Sequence, residues 1–231
     1  MSASEMSRAV DCGAVKLGQG FPEEPGPVQL MEAACAAIVS GATQCPPTLG
    51  LPALREVIAG HQAASYGIEL DPAREIVVTV GASEGITAAL LEPGDEVLIL
   101  EPFYDLCPAA VRFARGAAVL VPWELVSGGP DLVAAAAVVS RRTRAVIVNT
   151  PGNPSGRVWD ESLLDQFARF AVVRDLAVIS DEVYGPIVFD GHRHQCVASP
   201  SGTAPRTFTF AKSAATTQAG IDRMQGAGPR G

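Results

Sequence analysis

The 231-residue sequence lacks any apolar run of membrane-spanning length, and its longest apolar stretches are interrupted by glycine, proline or charge. A transmembrane helix needs about 20 mostly apolar residues, so none is predicted. Residues 1–8 contain an early acidic residue and no apolar run behind a basic start, which argues against a secretory signal. We therefore expect a soluble, cytoplasmic protein without a membrane partner.

Basic residues and paired cysteines are also scarce. The 17 Lys and Arg residues are outnumbered by 25 Asp and Glu residues, which gives a formal net charge of −8. This balance is opposite to the basic surface that binds a phosphate backbone, so nucleic acid is not an expected partner. The five cysteines are scattered and never form a Cys-x-x-Cys pair, so neither a disulfide framework nor a zinc site is predicted.

The sequence does contain a regular alternation of short β-branched runs and longer helical runs. Strands are predicted over residues 75–80, 96–100, 117–121, 145–149, 177–180 and 207–210. Helices are predicted over residues 28–40, 83–91, 105–115, 131–139 and 161–174. Strands that alternate with helices in this way predict an α/β fold, a mainly parallel sheet with helices on both faces.

The domain organisation follows from the length and from changes in composition. At about 150 residues per domain, the chain is either one large domain or one domain plus an incomplete second one. We interpret residues 1–50 as an N-terminal arm with one helix and residues 51–210 as a partial large domain. Residues 211–231 have no amphipathic period and are expected to form a disordered, non-homologous tail.

Residues just past the strands are the first candidates for a site, because ligands of open α/β sheets bind outside the carboxyl ends of the strands. Gly81, Ala82 and Ser83 open a helix and offer backbone N–H groups and a hydroxyl that suit a phosphate. An ordinary capping turn with Ser83 as N-cap is the alternative. Tyr104 follows the next strand and can stack on a planar cofactor, although core packing is the commoner use.

Two later strand ends carry more specific signals. Residues 149–156 contain two prolines and two glycines, which restrict the loop around Asn153. Asp181 follows an apolar strand, where a carboxylate costs desolvation energy unless it has a cationic partner. A positively charged partner for Asp181 is therefore predicted.

Taken in order, these segments resemble the class I and II aminotransferases, which bind pyridoxal 5′-phosphate on the large domain of fold type I. The motifs that carry the resemblance are Asn-x-Pro-x-Asn-Pro-x-Gly at residues 149–156 and Asp-Glu-Val-Tyr at residues 181–184. The resemblance extends to about residue 210 and is greatest for the kynurenine, methionine and succinyl-diaminopimelate aminotransferase branch. It implies a homodimer that acts on an amino acid and a 2-oxo acid, and a chain truncated at its C-terminal end.

The resemblance also implies how the cofactor ring is held. Asp181 would keep the pyridine nitrogen protonated, and the protonated ring would stabilise the carbanion left by the substrate α-proton. Asn153 and Tyr184 would hydrogen-bond the phenolic oxygen, and Tyr104 would stack on the ring.

The remaining implied contacts are made by backbone groups. Gly81, Ala82 and Ser83 would bind the phosphate, and Gly20, together with Asn153, would bind the substrate. No metal is expected. The pair His192-x-His194 has no evident third ligand and is predicted to be a polar surface turn.

The catalytic lysine is where the sequence departs from the family. Transamination needs a lysine that bonds to the cofactor and moves a proton. An ungapped alignment of residues 206–210 places Ala215 at that position, and Lys212, three residues earlier, is the nearby candidate. A solvent-exposed lysine in a tail is the alternative for Lys212. A frameshift between about residues 210 and 220 would explain the departure, and sequencing the gene tests this hypothesis.

These observations predict a pyridoxal-phosphate-dependent transaminase, with no measurable transamination expected from this chain alone. The alternatives are a β-eliminating lyase on the same scaffold and a non-catalytic fragment that binds the cofactor. A nucleotide-binding doubly wound domain is disfavoured, because no Gly-x-Gly-x-x-Gly follows a strand.

Overall fold

The computed structural model describes residues 12, 26–88, 92–124 and 128–211. The chain divides into two compact units, Met1–Thr43 and Gln44–Gly231. The first unit contains helix α1 (Val28–Val39), which agrees with the helix predicted there. Among the described residues, no helix is both long enough and apolar enough to cross a bilayer.

A five-stranded parallel sheet is the centre of the second unit. Its strands, in spatial order, are β2 (Ala117–Val121), β1 (Glu96–Leu100), β5 (Thr143–Asn149), β6 (Ala177–Asp181) and β7 (Thr207–Phe210). Two short strands, β3 (Trp123–Glu124) and β4 (Gly129–Pro130), form a separate antiparallel pair. The mainly parallel sheet predicted from the sequence is confirmed, and β6 is flanked by a strand on each side.

Five α-helices and one short 3-10 helix (Ala204–Arg206) accompany the strands of this unit in the described residues. The α-helices are α2 (Pro52–Tyr66), α3 (Gly81–Ala88), α4 (Leu106–Phe113), α5 (Leu132–Val138) and α6 (Glu161–Val173). Local chemistry fixes several ends: Asp131 and Asp160 accept backbone N–H bonds at the starts of α5 and α6. Helix α2 ends at Gly67, whose φ of 67° suits glycine.

The sheet separates two apolar cores. Ile179 of β6 packs in the core that contains α3 and α4, whereas Val178 packs in the core that contains α5 and α6. Because successive side chains of a strand point to opposite faces, Asp181 lies on the α3 and α4 face. Ser180 and Glu182 alternate with Ile179 and Asp181, so their side chains lie on the α5 and α6 face.

The strand predicted over residues 75–80 is wrong. The β-branched run is not paired as a strand with any described part of the chain. The Val78 N–H donates to the Leu49 carbonyl at 3.1 Å, the other backbone–backbone bonds of the run within the described residues join it to residues at most four positions away, and Val80 is 89% exposed. The β-branched composition of this segment is therefore not sufficient to make it a strand, because a strand also needs a neighbouring strand to pair with.

Two helical glycines give a matched test of how α3 packs against the sheet. A Cβ at Gly85 would meet the Phe210 ring, whereas a Cβ at Gly60 in α2 would meet nothing within 4 Å. We expect Gly85→Ala to destabilise the fold by about 1–3 kcal/mol through overpacking. Gly60→Ala is expected to stabilise it by roughly 0.5–1 kcal/mol through helix propensity. Urea unfolding monitored by circular dichroism measures both, and equal stabilities would contradict the close contact between Gly85 and the Phe210 ring.

Candidate functional site

Asp181 is a buried carboxylate at the C-terminal end of β6, where it is only 6% exposed. Its Oδ1 atom accepts the Val183 N–H at 3.2 Å. Burial raises the pKa of Asp181, the Val183 N–H lowers it, and the neighbouring Glu182 charge raises it further. Within the described ranges, no Lys, Arg or His side chain forms an ion pair with this carboxylate. The cation predicted from the sequence is therefore not supplied by a described side chain.

Two tyrosines lie in the electrostatic environment of Asp181. Tyr104 precedes α4 and packs, half-buried, against the core on the α3 and α4 face. Its pKa is raised by burial and then by the charges of Asp105, Tyr184 and Asp181. The two predicted ring-binding residues, Tyr184 and Asp181, are thus each close enough to influence the predicted ring-stacking residue Tyr104.

Cys107 contributes a neutral group to the same face. Its side chain is buried, and burial together with the charges of Asp181 and Asp105 raises its pKa to about 12. A thiol with this pKa stays protonated at neutral pH. The buried Cys107 side chain is therefore neutral and adds no charge beside Asp181.

The Asn149 side chain joins the end of β5 to the end of β6. Its Nδ2 donates to the Asp181 carbonyl at 3.0 Å, and its Oδ1 accepts the Asn153 N–H at 2.6 Å. The Thr150 N–H donates to the same Asp181 carbonyl at 3.1 Å. These bonds hold Asn153 beside the strand end that carries Asp181. Sequence reasoning gave Asn149 no role, although its place as the first residue of the motif was an available signal.

The rest of this loop is closed by its own hydrogen bonds. The Gly152 N–H donates to the Arg157 carbonyl at 2.9 Å, and the Gly156 N–H donates to the Gly152 carbonyl at 2.7 Å. Gly156 has a φ of 66°, a conformation that favours glycine. The loop that presents Asn153 is therefore ordered by its backbone, as its prolines and glycines predicted.

Gly81, Ala82 and Ser83 form the first turn of α3. Ser83 is the third residue of that helix, so the alternative in which Ser83 is the N-cap is wrong. The Glu84 side chain accepts the Val80 N–H instead. Phe210 links this helix to Asp181, because it pairs with Asp181 in the sheet and its ring contacts Gly85. The exposed helix start and the buried carboxylate therefore belong to one face of the sheet.

Two predicted site residues cannot be placed in this geometry. The candidate catalytic residue Lys212 and the candidate substrate-binding residue Gly20 lie outside the described residues. Their roles stay predictions.

A second buried pair was missed by sequence reasoning. The sequence predicts a polar surface turn for His194, but its side chain is only 3% exposed and its Nε2 lies 2.7 Å from the Glu182 Oε2. That prediction is wrong for His194, whereas His192 is exposed. The available signal was Glu182 itself, which continues a buried strand on the face opposite Asp181.

Comparison with known proteins gives consistent matches. The family model for aminotransferase class I and II matches residues 13–217. The chain is 37% identical to an aspartate aminotransferase of Pyrococcus abyssi, over 94% of this chain and 59% of that protein. It is 35% identical to kynurenine–oxoglutarate transaminase 1 of Homo sapiens, over 89% of this chain and 52% of that protein.

A solved structure matches the fold as well. The structure of N-succinyldiaminopimelate aminotransferase from Mycobacterium tuberculosis is 45% identical, with a TM-score of 0.86, over 91% of this chain and 56% of that one. The chain thus spans 52–59% of the length of these relatives.

The unpaired carboxylate generates a stability prediction. Because the folded-state pKa of Asp181 is raised, its stabilising contribution is full below the ordinary value of 3.8 and is lost as the pH rises through the folded-state pKa. We expect Asp181→Asn to stabilise the chain without ligand at pH 7 by roughly 0.5–2 kcal/mol. The gain should shrink as the pH falls towards 4, and urea unfolding at several pH values measures it.

Asp165→Asn is the control, since Asp165 is exposed on α6. It should change stability by less than about 0.5 kcal/mol at every pH. An Asp181→Asn variant that is less stable than the parent chain at pH 7 would contradict the proposed desolvation cost.

Proposed function

Since this chain belongs to the class I and II aminotransferases, we propose that it forms the pyridoxal 5′-phosphate-binding part of a transaminase. The reaction would move an amino group from an amino acid to a 2-oxo acid. The identity of 45% to an N-succinyldiaminopimelate aminotransferase supports an acyl-diamino-acid or related substrate. A homodimer is proposed from the family alone.

The observation that carries this proposal is the uncompensated burial of Asp181. A buried carboxylate with one N–H bond and a raised pKa is costly unless a cation approaches it. A protonated pyridine nitrogen is such a cation. The residues present therefore fit the cofactor.

Four side chains would hold the ring. Asp181 would accept a hydrogen bond from the ring nitrogen, which keeps that nitrogen protonated. Asn153 and Tyr184 would hydrogen-bond the phenolic oxygen, and the hydrogen bond from Asn153 to Asn149 restricts where the Asn153 side chain can lie. Tyr104 would stack on the ring face, supported from below by the core that it packs against.

The start of α3 would hold the phosphate. The first N–H groups of a helix have no partner within the helix and lie at its positive end, so they attract an anion. Ala82 and Ser83 would supply these groups together with the Ser83 hydroxyl, whereas the Gly81 N–H already donates to the Thr79 carbonyl at 2.9 Å and Gly81 would form the turn beside the phosphate. The Glu84 carboxylate is engaged by the Val80 N–H, which keeps it turned towards the preceding loop.

When bound, pyridoxal 5′-phosphate supplies an electron-accepting ring that makes the substrate α-proton acidic. In this chain, Lys212 is the candidate for moving that proton, and Gly20 is the candidate for binding the substrate carboxylate through its N–H. Because Lys212 lies three residues from the family position, the chain is proposed to bind the cofactor more readily than it turns over substrate.

Cofactor binding tests the proposal directly. We expect the purified chain to bind pyridoxal 5′-phosphate and Asp181→Asn to weaken binding at least about tenfold, since a neutral amide cannot pair with a cationic nitrogen. Titration followed by absorbance near the cofactor band measures both affinities. Asp165→Asn has the same net charge as Asp181→Asn, and it should bind pyridoxal 5′-phosphate with the affinity of the parent chain.

Borohydride reduction of the loaded chain separates catalysis from simple binding. Covalent retention of the cofactor on the peptide that contains Lys212, lost in Lys212→Arg, supports a transaminase. Binding without covalent retention supports the non-catalytic alternative, and equal affinity of the parent chain and Asp181→Asn overturns the proposed cofactor site.

A further inference from the structure

Glu182 is the centre of a buried polar cluster on the face of β6 opposite Asp181. Its Oε1 accepts the Ser180 hydroxyl at 2.9 Å, the Val197 N–H at 3.0 Å and the Cys196 thiol at 3.4 Å. Its Oε2 lies 2.7 Å from the His194 Nε2. The side chain is only 4% exposed, so these contacts replace water for the whole carboxyl group.

His194 fixes the outer end of this cluster. Its ring packs edge-on against Tyr66 of α2, with ring centroids 5.8 Å apart. A Cβ at Gly185 would lie 2.7 Å from the His194 ring, so the chain just after β6 also approaches the imidazole closely. The His194 Nδ1 is buried and has no hydrogen-bond partner in the described part of the chain, so Nε2 is the atom that anchors the ring.

The cluster is tied to the strand end that carries Asp181. The Glu182 N–H donates to the Phe210 carbonyl at 2.8 Å, and the Gly185 N–H donates to the Glu182 carbonyl at 2.9 Å. Glu182 is thus held by side chain and backbone one residue beyond Asp181. Two buried carboxylates follow each other on opposite faces of one strand, a costly arrangement that packing alone does not require.

We propose that Glu182, anchored by His194, is a positioning residue for Asp181: it fixes the end of β6 and adds negative potential that favours a cationic ring nitrogen at the Asp181 carboxylate. This inference rests on the proposed function for its ligand. The electrostatic coupling of Glu182 to Asp181 does not itself depend on any ligand.

The direction of the coupling follows from the charges. The Glu182 charge raises the pKa of Asp181, as a nearby like charge does. Among the described residues, the Asp181 charge also acts on Tyr104 and Cys107, and Asp105 lies near both of these side chains, with Tyr184 near Tyr104. The titratable groups near Glu182 are His194 and Cys196, with Tyr66 against His194. Within the part of the chain that the structure describes, Glu182 is therefore the charge on the opposite face of the sheet that acts on Asp181.

Glu182→Gln tests the proposal with little change of shape. The Gln oxygen can still accept from Val197 and Ser180, and its amide can donate to His194 Nε2 in the other tautomer. Carbon-13 NMR of the Asp181 carboxyl, assigned by its loss in Asp181→Asn, should show a titration midpoint below that of the parent chain. Pyridoxal 5′-phosphate should bind about tenfold more weakly.

Ser180→Ala is the matched control in the same cluster. It removes one hydrogen bond to Glu182 without removing the charge, so the Asp181 midpoint should stay at the parent value. If Glu182→Gln alone does not fold, Glu182→Gln combined with His194→Gln gives a neutral amide pair for the same measurement.

An unchanged Asp181 midpoint in a folded Glu182→Gln or double variant overturns the proposal. Loss of folding in both variants also overturns it, because the pair would then serve folding alone. Since the midpoint is measured without cofactor, a parent chain that fails to bind pyridoxal 5′-phosphate refutes the proposed function while leaving the coupling of Glu182 to Asp181 intact.

Discussion

The burial of the Asp181 carboxylate is the constraint around which the second unit is arranged. The backbone carbonyl of Asp181 receives two hydrogen bonds, from Asn149 and Thr150, whereas its side chain receives one, from Val183. The strand end is therefore rigid while its charge is left incompletely satisfied. A buried carboxylate in this state lowers the stability of the chain alone, and binding of a cation would offset that cost.

Because successive side chains point to opposite faces of the sheet, Asp181 and Glu182 lie in different environments. On one face, Asp181 lies with Tyr104 and Cys107 above an apolar core, so the dielectric near the carboxylate is low. On the other face, Glu182 is held by a closed set of donors. The proposed ring-binding carboxylate and the anchored carboxylate are thus adjacent in the chain but lie on opposite faces of the sheet.

Sequence reasoning succeeded where the signal was local. The apolar run before Asp181 predicted both the strand and the buried carboxylate, and the prolines and glycines of residues 149–156 predicted an ordered loop. Prediction from the sequence failed where a contact with a distant part of the chain determines the local structure. Residues 75–80 have β-branched character but no described strand beside them. His194, within a polar stretch, is buried because it contacts Glu182, twelve residues earlier and just beyond the end of β6.

Strand β7 forms one border of the described sheet, and only its β6 side is hydrogen-bonded within that part of the chain. Phe208, in the middle of β7, has 49% of its surface exposed to solvent. Open peptide groups beside an accessible aromatic ring can template another extended chain. We therefore expect self-association of this polypeptide through that border at high concentration.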